Sequence, residues 1–257
     1  YVGANDGMMH AFDASSGQEL FAYVPNIINF GHLATLSRGD YTHKFFVDGP
    51  IAVTSRALTP GRNLLVGTLG RGGKGVYSLD VTAPGSASAT SVAKWERAET
   101  PGNNMGLVLG RPVLANMTGG TSVAVIGNGI NSTRERAVLV VMNAETGAVI
   151  REIDTGVGST ALPNGLSAPA AAYDVDGKTL KYVFAGDMQG NVWKFDLTDS
   201  LPASWTVTRL FSAVDSGGKA QPITARVTIA THPLTRKRWI FFGTGRYMTV
   251  DDASSAT

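Results

Sequence analysis

The chain has 257 residues, 31 of them glycine, no cysteine and 16 % charged residues. That length suits one large β domain, and abundant glycine with few charges favours short strands and tight turns over a helical bundle. A net charge of only +2 argues against a polyanion-binding surface, and so against nucleic acid as the partner.

The missing cysteines exclude disulfides and thiolate metal sites. No apolar run reaches the ~18 residues of a membrane-spanning helix. Tyr1 already lies within a strand pattern with no initiator Met or leader before it, so the sequence reads as an excerpt whose export signal lies elsewhere.

In chain order, residues 1–23 open with YVGANDGMMHAFDA. This is an apolar run, a turn at Asn5-Asp6-Gly7 and a second run ending in Asp13, which together spell a β-hairpin. An insertion follows at residues 25–44, where Ile27, Ile28, Leu33 and Leu36 are expected to form one face of a short helix. The first full unit is predicted to place strands at Gly49–Thr54, Asn63–Gly67, Gly75–Val81 and Val92–Arg97. The second places them at Arg111–Asn116, Ser122–Gly127, Ala137–Asn143 and Ala148–Ile153. The third has Ala168–Tyr173, Leu180–Ala185, Asn191–Leu197 and Trp205–Phe211, and residues 222–243 supply two more strands.

Two series give these units a common period. Apolar runs end at Gly3, Gly67, Gly127, Gly186 and Gly243, at intervals of 64, 60, 59 and 57 residues. Pro50, Pro112, Pro169 and Pro222 each precede a run of small or β-branched residues, where proline costs no ladder hydrogen bond. The opening hairpin also recurs without a gap as FAGDMQGNVWKFDL at residues 184–197, Gly3 to Asp13 matching Gly186 to Asp196. Four strands per repeat imply an all-β fold, a β-propeller of four-stranded antiparallel blades with long inter-strand loops. The blades are expected at about 45–105, 106–160 and 161–215, with partial blades at 1–24 and 216–250, as in an excerpt of a larger propeller.

The motifs YVGANDGMMHAFDASSGQELFAYVP, HKFFVDGP, NGLSAP and YVFAGDMQGNVWKFDL resemble the C-terminal domain of the PilY/PilC family of type IV pilus tip-associated proteins. The resemblance covers nearly the whole chain. It implies a modified propeller, an exported location at the pilus tip, outer membrane surface or periplasm, and roles in pilus assembly and adhesion. Pilus or minor pilin proteins are the implied partners, with a host cell-surface receptor as a further one. An alternative is a periplasmic propeller scaffold that holds protein partners without an adhesive surface.

The resemblance also directs attention to Asp174 and Asp176, because family members often carry a calcium loop just before this hairpin. Here the stretch Asp174-Val175-Asp176-Gly177-Lys178-Thr179-Leu180-Lys181 keeps two aspartates, lacks the next acidic position and ends near Lys181. Calcium takes roughly six to eight oxygens, so a turn between strands is the first reading and a degraded, weak calcium site the second. Arg38-Gly39-Asp40 spells an integrin-recognition tripeptide, and some family members are reported to bind integrins through such a sequence, although the resemblance does not place theirs in this insertion. A given tripeptide of this kind arises by chance in roughly one chain in twenty of this length, so the spelling alone carries little.

The enzyme alternative is a quinoprotein dehydrogenase fragment. Its repeat docks a tryptophan, and here Phe21 and Arg151 stand in the corresponding places, with no adjacent cysteine pair. No cofactor beyond weak calcium is therefore expected, and no catalysis. His10, His32, His43 and His232 lack partners at metal-ligand spacing, and Trp95, Trp193, Trp205 and Trp239 are expected to fill the inter-blade core. Asp6, Asp13, Asp187 and Asp196 recur with the hairpin and are expected to be turn and strand-end hydrogen-bonders rather than catalytic acids.

Overall fold

Five antiparallel sheets follow one another along the chain in a computed structural model that describes residues 1–248 and Asp252. The first has three strands, β1 (Val2–Gly3), β2 (Met9–Phe12) and β3 (Glu19–Tyr23). The next three have four strands each. They are β4 (Ile51–Val53), β5 (Leu64–Thr68), β6 (Gly75–Asp80) and β7 (Ala93–Ala98); then β8 (Val113–Asn116), β9 (Ser122–Gly127), β10 (Val138–Asn143) and β11 (Val149–Asp154); then β12 (Ala170–Tyr173), β13 (Leu180–Gly186), β14 (Asn191–Asp196) and β15 (Thr206–Ser212). A hairpin of β16 (Thr228–Thr231) and β17 (Arg238–Phe241) completes the series. Each four-stranded sheet pairs its strands in chain order, as expected for propeller blades.

The second and third strands of the second blade, β9 and β10, read as nearly unbroken apolar runs because both of their faces are buried. Alternate residues serve opposite neighbours. In β9, Val123 and Val125 join a core with Val183, Ala185, Trp193 and Phe195 of the third blade. Ala124 and Ile126 join Leu64, Val66 and Trp95 of the first blade. Leu65 of β5 turns the other way, onto Met9, Val47 and Tyr77. The outer strand β15 is largely exposed, and polar and apolar residues mix there.

Two expectations fail at the last hairpin. Pro50, Pro112 and Pro169 immediately precede β4, β8 and β12, but Pro222 lies six residues ahead of β16. The residues between carry an inter-blade contact at Ile223 rather than the strand itself. Trp95, Trp193 and Trp205 are buried as expected, whereas Trp239 is 55 % exposed and stacks on Phe241. The opposite face of this hairpin, carrying Ile229 and Ile240, packs on the third blade, leaving Trp239 on the bare one.

Within the insertion, α1 (Phe30–Leu33) is a single turn capped by the Asn29 side chain. Ile28 is buried and Ile27 and Leu33 pack on the same core, but Leu36 is exposed beyond the helix. The expected four-residue face is thus divided between a lead-in segment, one turn and a free tip.

Candidate functional site

The motif Asn164–Pro169 runs between two blades as a stitch. Gly129 donates its N–H to Leu166 O at 3.1 Å on one side, and Ser167 donates to Gly186 O at 2.9 Å on the other. Met188 N donates to Gly165 O at 3.2 Å. Gly165 is required by this closeness, since an added Cβ would stand 2.1 Å from Gly129 O. The same device recurs around Val47 and Asp48, whose N–H groups reach Ala4 O and Leu69 O. It recurs at Ile223, which donates to Asp187 O at 2.9 Å.

Beside this stitch lies Asp187, fully buried. Its Oδ1 accepts from Gln189 N and Asn191 N, each at 2.9 Å. Its Oδ2 accepts from Asn191 Nδ2 at 2.9 Å, Trp193 Nε1 at 2.8 Å and Asn164 Nδ2 at 3.0 Å. A carboxylate is acceptor-only, and here neutral donors fill both oxygens, so the group is locked in place. Asn164 makes the lock an inter-blade one.

The position equivalent to Asp187 in the second blade is Asn128, also fully buried. Its amide donates to Asn104 O and Arg136 O, and its carbonyl accepts from Val138 N and Leu166 N. Asp6, by contrast, is exposed and accepts from Met8 N. Aligned on the glycines, Ala4 matches Asp187 and Asp6 matches Gln189, so Asp6 is a turn hydrogen-bonder on the surface with no part in the inter-blade lock. Asp13 and Asp196 are strand-end caps: Asp13 accepts from Ser15 and Ser16, and Asp196 from Thr198. The hydroxyl of Ser15 and the N–H of Ser16 hold the Asp13 carboxyl down to about 2.

Asp174 and Asp176 lie at the other end of the blades, in the turn from β12 to β13. Asp174 accepts from Val175 N, and its second oxygen sits 3.3 Å from Lys181 Nζ. Asp176 accepts from Lys178 N at 2.9 Å, Thr179 N at 2.8 Å and the Thr179 hydroxyl. The hydroxyl bond first, then the backbone bonds, lower its carboxyl to about 2. Two carboxylates, one answered by an ammonium and one turned inward on its own loop, do not fit a cation that takes six to eight oxygens. The loop is itself a stitch, since Asn116 N donates to Lys178 O at 3.0 Å.

Arg38, Gly39 and Asp40 lie at the tip of the insertion. Arg38 Nε donates to Asp40 Oδ1 at 3.1 Å, and the two side chains are 61 % and 74 % exposed. A surface pair of this kind is worth ~0–1 kcal/mol, so it opens readily to a competing partner. Ile28 and Leu33 anchor the base of the insertion, and Leu33 lies against Gly7 of the first hairpin.

At the places where a quinoprotein repeat would carry tryptophan, Phe21 packs partly buried on the core, and Arg151 donates to Pro202 O and to Trp205 O. Arg151 thereby ties the second blade to the third. His10 bridges two carboxylates, with Nε2 at 2.9 Å from Asp6 and Nδ1 at 2.6 Å from Glu19. Linear spacing hid this pairing because Glu19 arrives from the neighbouring strand. Glu19 first, and Asp6 next, raise the His10 pKa against the lowering effect of burial. Among the described residues no group of three or more His, Cys, Asp or Glu is arranged to hold a metal ion.

The family profile described as "PilY1 beta-propeller domain" matches residues 1–257. The chain belongs to that family. It is 36 % identical over 281 aligned residues to the type IV pilus biogenesis factor PilY1 of Pseudomonas aeruginosa, covering 100 % of this chain and 24 % of that protein. It thus spans about a quarter of the length of that relative. The crystal structure of the Pseudomonas aeruginosa PilY1 C-terminal domain superposes with a TM-score of 0.80 at 35 % identity, covering 98 % of this chain and 54 % of that one. A quinohemoprotein alcohol dehydrogenase from Comamonas testosteroni shares the fold alone, with a TM-score of 0.52 and 13 % identity over 93 % of this chain and 38 % of that one.

Proposed function

We propose that this propeller serves type IV pilus biogenesis as a non-catalytic, protein-binding module, exported and carried at the pilus tip or outer surface. The observation that carries the reading is that the whole of this chain matches part of a pilus biogenesis factor. The blade chemistry supports it: Asp13, Asp176, Asp187 and Asp196 are each committed to turn or inter-blade hydrogen bonds, not gathered around a substrate cleft. Pilins or minor pilins are its partners, and the exposed Arg38-Gly39-Asp40 tip is offered to a cell-surface receptor. Asp174 and Asp176 serve as turn closers, and no cofactor takes part.

Fractionation tests the location. Pili sheared from intact cells carry the protein under this reading, while retention in the periplasm after shearing would favour an assembly scaffold without an adhesive surface. Adhesion to cultured cells tests the loop: Asp40→Glu should weaken it, and equal adhesion by the variant would remove the tripeptide from the account.

A further inference from the structure

A hollow of about 380 Å³ opens where the connections entering the second and third blades meet the lead-in to the last hairpin. Its walls include Leu109, Met188 and Met248, and two arginines reach it, Arg111 from the second blade and Arg226 from the last hairpin. An adjoining hollow of similar size shares Leu109 and Met248 and adds Arg71 and Arg246. Among the described residues neither lining contains an Asp or Glu. In a chain with 22 basic and 20 acidic residues, four arginines answered by one carboxylate, Asp252, mark a local excess of one sign.

The four are not equivalent. Arg71 lies over the Phe45 ring at 5.4 Å, and Arg246 pairs with Asp252 at 2.7 Å. Arg111 and Arg226 have no hydrogen bond or ion pair among the described residues. Both are exposed, with their forks available. A guanidinium presents a planar fork that matches a carboxylate, and a concave apolar surround focuses its field. The hollow falls within the ~300–1,000 Å³ of typical ligand sites. Among the described residues no aromatic side chain lines either hollow, so bases of a nucleic acid find no stacking platform there. The aliphatic and thioether walls suit apolar side chains of varied shape.

We propose that this hollow binds an acidic peptide segment of a partner protein, its carboxylates held by Arg111 and Arg226 and its flanking aliphatic side chains resting on Leu109, Met188 and Met248. The test is fluorescence anisotropy with a fluorescein-labelled peptide of alternating glutamate and leucine. Binding is expected with the glutamate peptide and not with its glutamine counterpart. R111Q/R226Q should weaken it at least ~10-fold, since two charge-assisted contacts are lost, while R209Q/K219Q, which removes the same charge from the outer surface, should leave it unchanged. Should the double variant melt below wild type, R111Q and R226Q are compared singly, each expected to weaken binding several-fold. Equal binding of both peptides, no binding at millimolar peptide, no effect of the arginine variants, or displacement by equimolar inorganic phosphate would overturn the proposal, the last by marking a free phosphate site.

Discussion

Replacing Asp187 with alanine would strip the acceptor from four donors that are buried with it. Asn164 Nδ2 keeps a second partner, Val157 O at 3.3 Å, so the groups left without one are Asn191 N, Asn191 Nδ2 and Trp193 Nε1. Each orphaned buried donor costs ~1–3 kcal/mol. The lower end applies, because removing a buried charge returns its desolvation cost and a water fits the space left by the carboxylate. The expected loss is therefore about 3–4 kcal/mol, or a fall in Tm of roughly 6–16 °C for a domain of this size. Asp187→Asn separates charge from geometry. An amide there turns a donor toward Trp193 or Asn191 and should still cost about 2 kcal/mol, although asparagine is native at the equivalent Asn128. The difference lies in the surroundings: Asn128 faces two carbonyls, Asn104 O and Arg136 O, that only a donor satisfies. Denaturant unfolding followed by tryptophan fluorescence reads both variants. If both unfold within ~1 kcal/mol of wild type, the inter-blade lock described here is wrong.

Other expectations follow from the same contacts. His10 gains its charged form from Glu19 and Asp6, so its contribution is present below the ordinary histidine value and is lost as pH rises through the raised one. The stability gap between wild type and His10→Gln should thus be larger near about pH 6 than near about pH 9; a constant gap would show that the pair contributes nothing. Thermal unfolding in millimolar calcium and in chelator should agree within about 1 °C, and a large upward shift with calcium would show that the loop at residues 174–181 binds the ion after all. Gly165→Ala should destabilise by at least ~2 kcal/mol through the contact with Gly129 O, while Gly85→Ala, where space is open and φ is not positive, should cost little; equal losses would show that the stitch is dispensable.

Glycine-ended strands, proline-marked entries and the gapless hairpin were legible from residue order because each reports on local backbone geometry. Strand pairing in the four-stranded blades followed from them. Contacts between blades were not legible in this way. The motif at Asn164–Pro169 could be recognised as a family signature, but its work as a stitch depends on Gly129, 36 residues before Gly165, and Gly186, 19 residues after Ser167. Asp187 and Asp6 looked alike because both sit in glycine-rich turns, yet one is buried by the stitch and the other faces water. Trp239 reads as core by composition, and only the neighbour on each face of its hairpin decides otherwise. Arg111 and Arg226 lie 115 positions apart and reach one hollow only through the packing of successive blades.

The most direct test of the central claim is surface piliation in the native bacterium after in-frame deletion of the segment encoding residues 1–257, scored as pilin recovered by shearing. Loss of surface pili, restored by the wild-type segment, is the expected result. Undiminished pilin in the sheared fraction would contradict a role for this propeller in pilus biogenesis.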